Sequence, residues 1–260
     1  VVANGGSVSA STVKAVSTFC DAIDAAGIRD RFYRLSLMCG DSDASLVAVR
    51  TPLYRGPSRT GTQYGNALDT NNNFVEGDYT ETGASGGLKG NGSTKYLDTG
   101  LPGDTFAAGD RHCSVYWNAN ATLTGSKVFI GNTDSSSNGA WFDIHSRFTN
   151  PGSEAQITNS YALTHTAANH QQLAQYIGAA SAESYSMGGD KKTRTDFSLS
   201  TPAASASNWY IFGINPSLFG GVRTDARICC YSIGLSMSEA GVIALYDAQH
   251  AFQTALTRQA

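Results

Sequence analysis

The chain has 260 residues, of which 41% are hydrophobic and 15% are charged. A chain of this length buries roughly 70–75% of its unfolded surface, so we expect one large domain with accessory segments. The net charge of −3 argues against nucleic-acid binding, which requires basic patches. No apolar run approaches the roughly 20 residues that cross a bilayer, so no membrane partner is predicted.

The N-terminal segment, residues 1–50, begins with an amphipathic pattern. Apolar residues recur at three- and four-residue steps and predict a helix from Ser9 to Ala26. Ser11 is expected to cap its start, and Gly27 is expected to end it in a left-handed conformation. A strand is predicted from Arg31 to Cys39. We expect this segment to pack on the main domain through the apolar face of the helix.

Residues 51–86 are rich in Gly, Asn, Thr and Pro and predict a long irregular loop or insertion. Within it, Asp69, Asn71 and Asn73 repeat the D-x-N-x-N oxygen spacing of calcium loops. Phe74 occupies the position where an EF-hand has glycine. A polar surface loop with side-chain-to-backbone hydrogen bonds therefore remains the alternative to a calcium site. No other cofactor is predicted.

The segment 87–260 is predicted to form the main domain. Short runs of alternating or apolar residues, separated by turn-like sequence, predict a two-layer antiparallel β-sandwich. A capping-box pattern at Ser236 to Glu239 predicts a C-terminal helix. The fold class is therefore all-β with flanking N- and C-terminal helices. The predicted strands lie near 96–99, 112–118, 127–131, 140–145, 155–158, 173–178, 183–188, 196–200, 208–214 and 226–234.

Two sequence runs carry a family resemblance. Gly-Asn-Gly-Ser-Thr-Lys-Tyr-Leu-Asp-Thr-Gly at 90–100 and Tyr-Ser-Ile-Gly at 231–234 resemble runs in concanavalin A-like, laminin-G-like jelly-roll domains. They are similar in particular to a subgroup of phage and prophage virion proteins. The resemblance covers residues 11–40 and 86–256 in outline. It implies a jelly-roll sandwich on a virion surface, with other virion subunits or further copies of the chain (a homo-oligomer) as partners.

One short run brings together residue types that bind sugars. Trp141, Asp143 and His145 alternate along a predicted strand, so they should share one face. An aromatic ring beside two polar groups can hold a sugar by stacking and hydrogen bonds. A partly buried tryptophan at a sheet edge explains the same pattern and stays open. Asp143 has no second acid on its own predicted strand, and no P-loop occurs in the sequence, so an enzyme is not predicted.

These observations predict a non-enzymatic virion structural or surface protein (decoration, fibre or tail), with adhesion to a cell-surface glycan as a further role. The alternative is a secreted or cell-surface carbohydrate-binding module, which would be extracellular. A polysaccharide-degrading enzyme is the third hypothesis. Saccharide binding without turnover would favour the binding module, whereas stable self-assembly without sugar binding would favour the structural role.

Overall fold

The structure, a computed structural model, describes residues 6–41, 46–57, 63–118, 127–134, 142–146, 153–157, 160–162, 171–178, 180–188, 191–198 and 204–258. The α-helices in these ranges are α1 (Ala10–Ala25), α2 (Leu46–Val49) and α3 (Glu239–Ala255). The strands are β1 (Phe32–Ser36), β2 (Thr70–Asn72), β3 (Tyr79–Thr80), β4 (Gly87–Lys89), β5 (Tyr96–Pro102), β6 (Asp110–Asn118), β7 (Val128–Asn132), β8 (Phe142–Ser146), β9 (Ser153–Ile157), β10 (Ser160–Ala162), β11 (Gln171–Ile177), β12 (Ser181–Gly188), β13 (Lys191–Ser198), β14 (Asn208–Ile211) and β15 (Arg227–Gly234).

The strands form two antiparallel sheets. In the first sheet the order is β13-β12-β11-β6-β15-β4-β3, and β1 also pairs with β15. In the second sheet the order is β10-β9-β8-β7-β14-β5-β2. The prediction of an all-β antiparallel sandwich is confirmed, whereas its specific jelly-roll type is not.

The main hydrophobic core lies between the two sheets. Val115 and Trp117 of β6 face it from the first sheet, and Phe129 and Trp209 face it from the second. The Trp117 and Phe129 rings stack with centroids 5.1 Å apart. This core fixes which residues of each strand point inward, because side chains alternate across a sheet.

The two long helices cover the outer face of the first sheet. Phe19 of α1 and Phe252 of α3 meet edge to face, with ring centroids 6.3 Å apart. Both belong to a second apolar cluster that includes Tyr116 of β6 and Leu173 of β11. In the described ranges, no helix combines the length and apolar character needed to span a membrane. Because α1 and α3 pack on the first sheet, neither of them covers the outer face of the second sheet.

The helix starts differ slightly from the prediction. The side chain of Ser9, not Ser11, accepts a hydrogen bond from the Thr12 N–H and caps α1. Likewise Ser238, not Ser236, caps α3. Gly27 has the predicted left-handed conformation, with φ of +66°.

The segment predicted to be a long irregular loop contributes to both sheets. β2 pairs with β5 in the second sheet, and β3 pairs with β4 in the first. These strands have three and two residues, too few for a readable alternation. β2 and β3 thus make this segment part of the sandwich edge.

Candidate functional site

The outer face of the second sheet presents polar and aromatic side chains where β5 and β14 pair. Leu97 and Thr99 of β5, and Trp209 and Ile211 of β14, are fully buried. The residues between them are half-buried and point outward. This surface, called the open face below, comprises Tyr96, Asp98, Asn208 and Tyr210.

The strand register aligns the open face with Asp143, one of the residues predicted to bind sugar. Asp98 pairs with Tyr210, Tyr210 pairs with Gly131, and Gly131 pairs with Asp143. Thr70 of β2 extends the row beyond Asp98. Residues opposite each other in a sheet project from the same face. Asp143 therefore belongs to the outer face of the second sheet, two strands away from Tyr210.

The carboxylate of Asp98 is fixed in orientation. Its Oδ1 accepts hydrogen bonds from the Gly100 N–H (2.8 Å) and from Asn208 Nδ2 (3.0 Å). Within the described chain, Oδ2 accepts no hydrogen bond from the protein. A carboxylate held through one oxygen offers the other as an acceptor for the hydroxyl groups of a ligand.

Two tyrosine rings lie beside this carboxylate. The centroids of Tyr96 and Tyr210 are 6.0 Å apart, and the rings are inclined by 63°. Burial raises the pKa of Tyr210, and the negative charge of Asp98 raises it further. The hydroxyl is therefore neutral at physiological pH. Arg223 lies over the Tyr96 ring, with its guanidinium carbon 4.9 Å from the centroid. The open face thus combines apolar ring surface with donors and acceptors.

Asp143 and His145 are brought together but lie below the surface. Their exposed fractions are 1% and 5%, and His145 Nδ1 is 3.0 Å from Asp143 Oδ1. Asp143 packs against Gly131, where an added Cβ would come within 2.8 Å of Asp143 Cβ. Trp141 lies outside the described residues. An exposed site centred on Asp143 and His145 is therefore not what the structure shows.

Sequence reasoning found this sheet but missed the residues that its surface exposes. The signal was present in the run Tyr96-Leu97-Asp98-Thr99, whose alternation places an aromatic ring and a carboxylate on one face. What the sequence does not contain is the pairing of β5 with β14, which brings Tyr210 and Asn208 alongside.

The three residues of the predicted calcium loop do not converge. Asp69 is fully buried, and its oxygens accept hydrogen bonds from Arg34 Nε (3.0 Å) and the Tyr231 hydroxyl (2.7 Å). Asn71 bonds to the backbone of Phe74, and Asn73 bonds to the backbone of Thr94. In the described ranges, no group of three or more His, Cys, Asp or Glu side chains is placed to hold a metal ion.

The comparisons with known proteins identify the fold but not a family. No protein-family model and no curated protein matches the chain. A GH54 α-L-arabinofuranosidase structure soaked with a cyclic sulfate inhibitor matches with a TM-score of 0.50 and 9% identity, over 92% of this chain and 65% of that one. A Trypanosoma rangeli sialidase in complex with 2,3-difluorosialic acid matches with a TM-score of 0.50 and 11% identity, over 85% of this chain. This chain corresponds to 33% of that sialidase's length.

These matches correct one prediction and limit another. The prediction that the chain is not an enzyme is contradicted, because these two solved structures with the same fold are glycosidases. Identities this low establish a common sandwich rather than a common activity. The comparisons give no link to phage virion proteins, so the virion setting, the oligomer and the extracellular alternative stay predictions.

Proposed function

We propose that the chain is a saccharide-binding protein whose ligand lies across the open face. The observation that supports this most directly is the fixed carboxylate of Asp98, whose Oδ2 bonds to none of the described residues, beside the half-buried ring of Tyr210. Sugars present apolar C–H surfaces and hydroxyl groups together. A tyrosine ring offers an apolar body with a polar tip, and a carboxylate accepts hydrogen bonds from hydroxyls.

The position of the open face in the fold also supports this proposal. Its residues lie on strands, and sites built on strands are held more precisely than sites on loops. The inward neighbours Leu97 and Trp209 are fully buried and fix the backbone beneath. A ligand would therefore meet a surface that needs little ordering, which reduces the cost of binding.

Glycoside hydrolysis on this surface would need two carboxylates at a defined separation. Asp98 and Asp143 lie in one row, but three strand intervals separate β5 from β8. At about 4.8 Å per interval this gives about 14 Å, beyond the roughly 5–9.5 Å of hydrolytic carboxylate pairs. These two residues therefore do not form such a pair. Each binding measurement should therefore be accompanied by an assay for hydrolysis of the same saccharide.

The test is binding of the full chain to an array of oligosaccharides, followed by calorimetry with the best ligand. Replacing Tyr96→Ala or Tyr210→Ala should weaken binding by about tenfold or more, because aromatic anchors carry much of an interface's energy. Asp98→Asn keeps the shape but removes the charge, so it should also weaken binding.

Tyr33→Ala serves as the matched control. Tyr33 is also half-buried and contacts two aromatic rings, those of Tyr64 and Phe106 at 4.6 and 4.7 Å. It lies on β1 of the first sheet, so its loss should leave saccharide affinity unchanged. Equal losses in Tyr33→Ala and Tyr210→Ala would mean that the open face is not the binding surface. Absence of binding to any saccharide would rule out the proposed function.

A further inference from the structure

The guanidinium of Arg223 is held in place beside the open face. It lies 4.9 Å from the centroid of the Tyr96 ring, a typical cation–π distance. Its Nη1 also donates hydrogen bonds to the backbone carbonyls of Gly220 (2.7 Å) and Ser93. Three contacts from two chain segments therefore orient this side chain before any ligand arrives.

Among the residues that the structure describes, no carboxylate balances the charge of Arg223. In the part of the chain that the structure describes, its Nε and Nη2 donate no hydrogen bond, and its guanidinium forms no ion pair. Other arginines differ. Arg34 pairs with Asp69, and Arg194 pairs with three carboxylates. Arg223 thus presents two donor nitrogens, Nε and Nη2, that bond to none of the described residues.

A second cation lies on the same side of the sheet. Val128 forms an isolated bridge with Arg223, which brings the preceding residue, Lys127, next to this segment. Lys127 Nζ donates to the carbonyls of Gly221 (3.1 Å) and Gly92 (3.4 Å). Two positive charges therefore flank the open face, although the chain as a whole carries a net charge of −3.

We propose that the saccharide bound on the open face carries a carboxylate, which Arg223 binds through Nε and Nη2. The planar fork of a guanidinium matches a carboxylate in a two-bond geometry that few other groups offer. Asp98 lies two residues from Tyr96, about 7 Å along β5, a separation comparable to a sugar ring. Asp98 would then accept hydroxyl groups while Arg223 binds the acid. This inference rests on the proposed saccharide binding.

The experiment uses an array of oligosaccharides in matched pairs, each pair differing only in a uronic acid at the place of the neutral hexose. We expect the full chain to prefer the acidic member. Arg223→Gln should lose about tenfold or more of that affinity, because a hydrogen bond between charged groups is lost. Arg223→Lys should recover part of it. Arg31→Gln, which changes an exposed arginine before β1, is the control and should bind as the unchanged chain does.

Two further measurements separate the possible results. Thermal melting shows whether Arg223→Gln remains folded, and a salt titration of the unchanged chain tests the charge contact without a mutation. Rising salt should weaken binding of the acidic member more than that of the neutral one. Equal affinity for both members of a pair would overturn the carboxylate proposal and leave saccharide binding intact. Preference for sulfated sugars alone would also overturn it, and no binding to any sugar would overturn both.

Discussion

Asp69 and Arg34 form an ion pair that is completely removed from water. Burial alone would lower the pKa of Arg34, but the charge of Asp69 and the bonds with Asp69 and Tyr231 outweigh that effect and raise it. Arg34 also donates to the carbonyls of Tyr64 and Asn66. The pair therefore connects β1 to the segment before β2. It stabilises the fold because each charge supplies the hydrogen-bond partner that the other, already buried, charge requires.

We predict that Asp69→Asn lowers the free energy of unfolding by about 3–5 kcal/mol. The substitution leaves the guanidinium of Arg34 buried without a counter-charge, and breaking one side of a buried pair costs about that much. Urea denaturation followed by tryptophan fluorescence measures the change. Asn73→Ala is the matched control, because Asn73 is exposed, and it should change stability far less.

EDTA treatment tests whether Asp69 is the partner of Arg34 in an ion pair or a calcium ligand. If Asp69 serves Arg34, EDTA should leave the melting temperature unchanged. A drop in melting temperature with EDTA that disappears in Asp69→Asn would assign the carboxylate to a cation instead. Spacing in the sequence shows Asp69 beside Asn71 and Asn73, but it cannot show that Arg34, 35 positions away, faces the same carboxylate. Contacts between distant residues were the part of the site that sequence reasoning could not supply.

At the scale of elements, the start of α1 gives a direct test of cap assignment. Ser9 Oγ accepts from the Thr12 N–H at 3.1 Å, whereas Ser11 lies within the first turn. Ser9→Ala should reduce stability by about 1 kcal/mol, the usual cost of losing a capping side chain. Ser11→Ala should cost less than about 0.5 kcal/mol, because it removes an exposed hydroxyl. A larger loss in Ser11→Ala than in Ser9→Ala would contradict the assignment, and urea denaturation of both variants decides it.

The strands show which elements the sequence could predict. β6, β12 and β15 were expected close to their observed bounds. A long run of apolar or alternating residues indicates a strand whichever strands it later pairs with. β2 and β3 were missed, since two or three residues make no pattern and their pairing depends on β5 and β4. The open face lies where β5 and β14 meet, so its existence followed from pairing and not from either strand alone.

At the scale of the whole molecule, His112 links stability to pH. It is fully buried on β6, where Nδ1 donates to the Leu235 carbonyl (2.7 Å) and Nε2 accepts from the Ser232 hydroxyl (2.9 Å). Both bonds suit a neutral ring. Burial lowers the pKa of His112 to about 4, although the Leu235 carbonyl and the charge of Asp110 oppose the shift. Protonation therefore favours the unfolded chain, in which the pKa is about 6.5.

The sign of the pH dependence follows from these two pKa values. Above pH 6.5 the ring is neutral in both states, so the stability is fully retained. As the pH falls from 6.5 to 4, the unfolded chain binds a proton that the folded protein does not, and His112 lowers the free energy of unfolding by about 3 kcal/mol. Urea denaturation at steps of pH between 7 and 4 should show this loss.

His250 provides the control for that measurement. It is half-buried on α3, 3.4 Å from the Tyr116 hydroxyl. His250→Gln leaves the buried ring of His112 in place, so the loss of stability that His112 causes should persist in this variant. A profile that stays flat between pH 7 and 4.5 would show that His112 is not held neutral by burial. Because β6 crosses the centre of the first sheet, protonation of His112 would loosen the layer on which the second sheet packs. Saccharide binding to the open face should therefore be measured above pH 6.5, where a loss of affinity reports on the ligand contacts and not on partial unfolding.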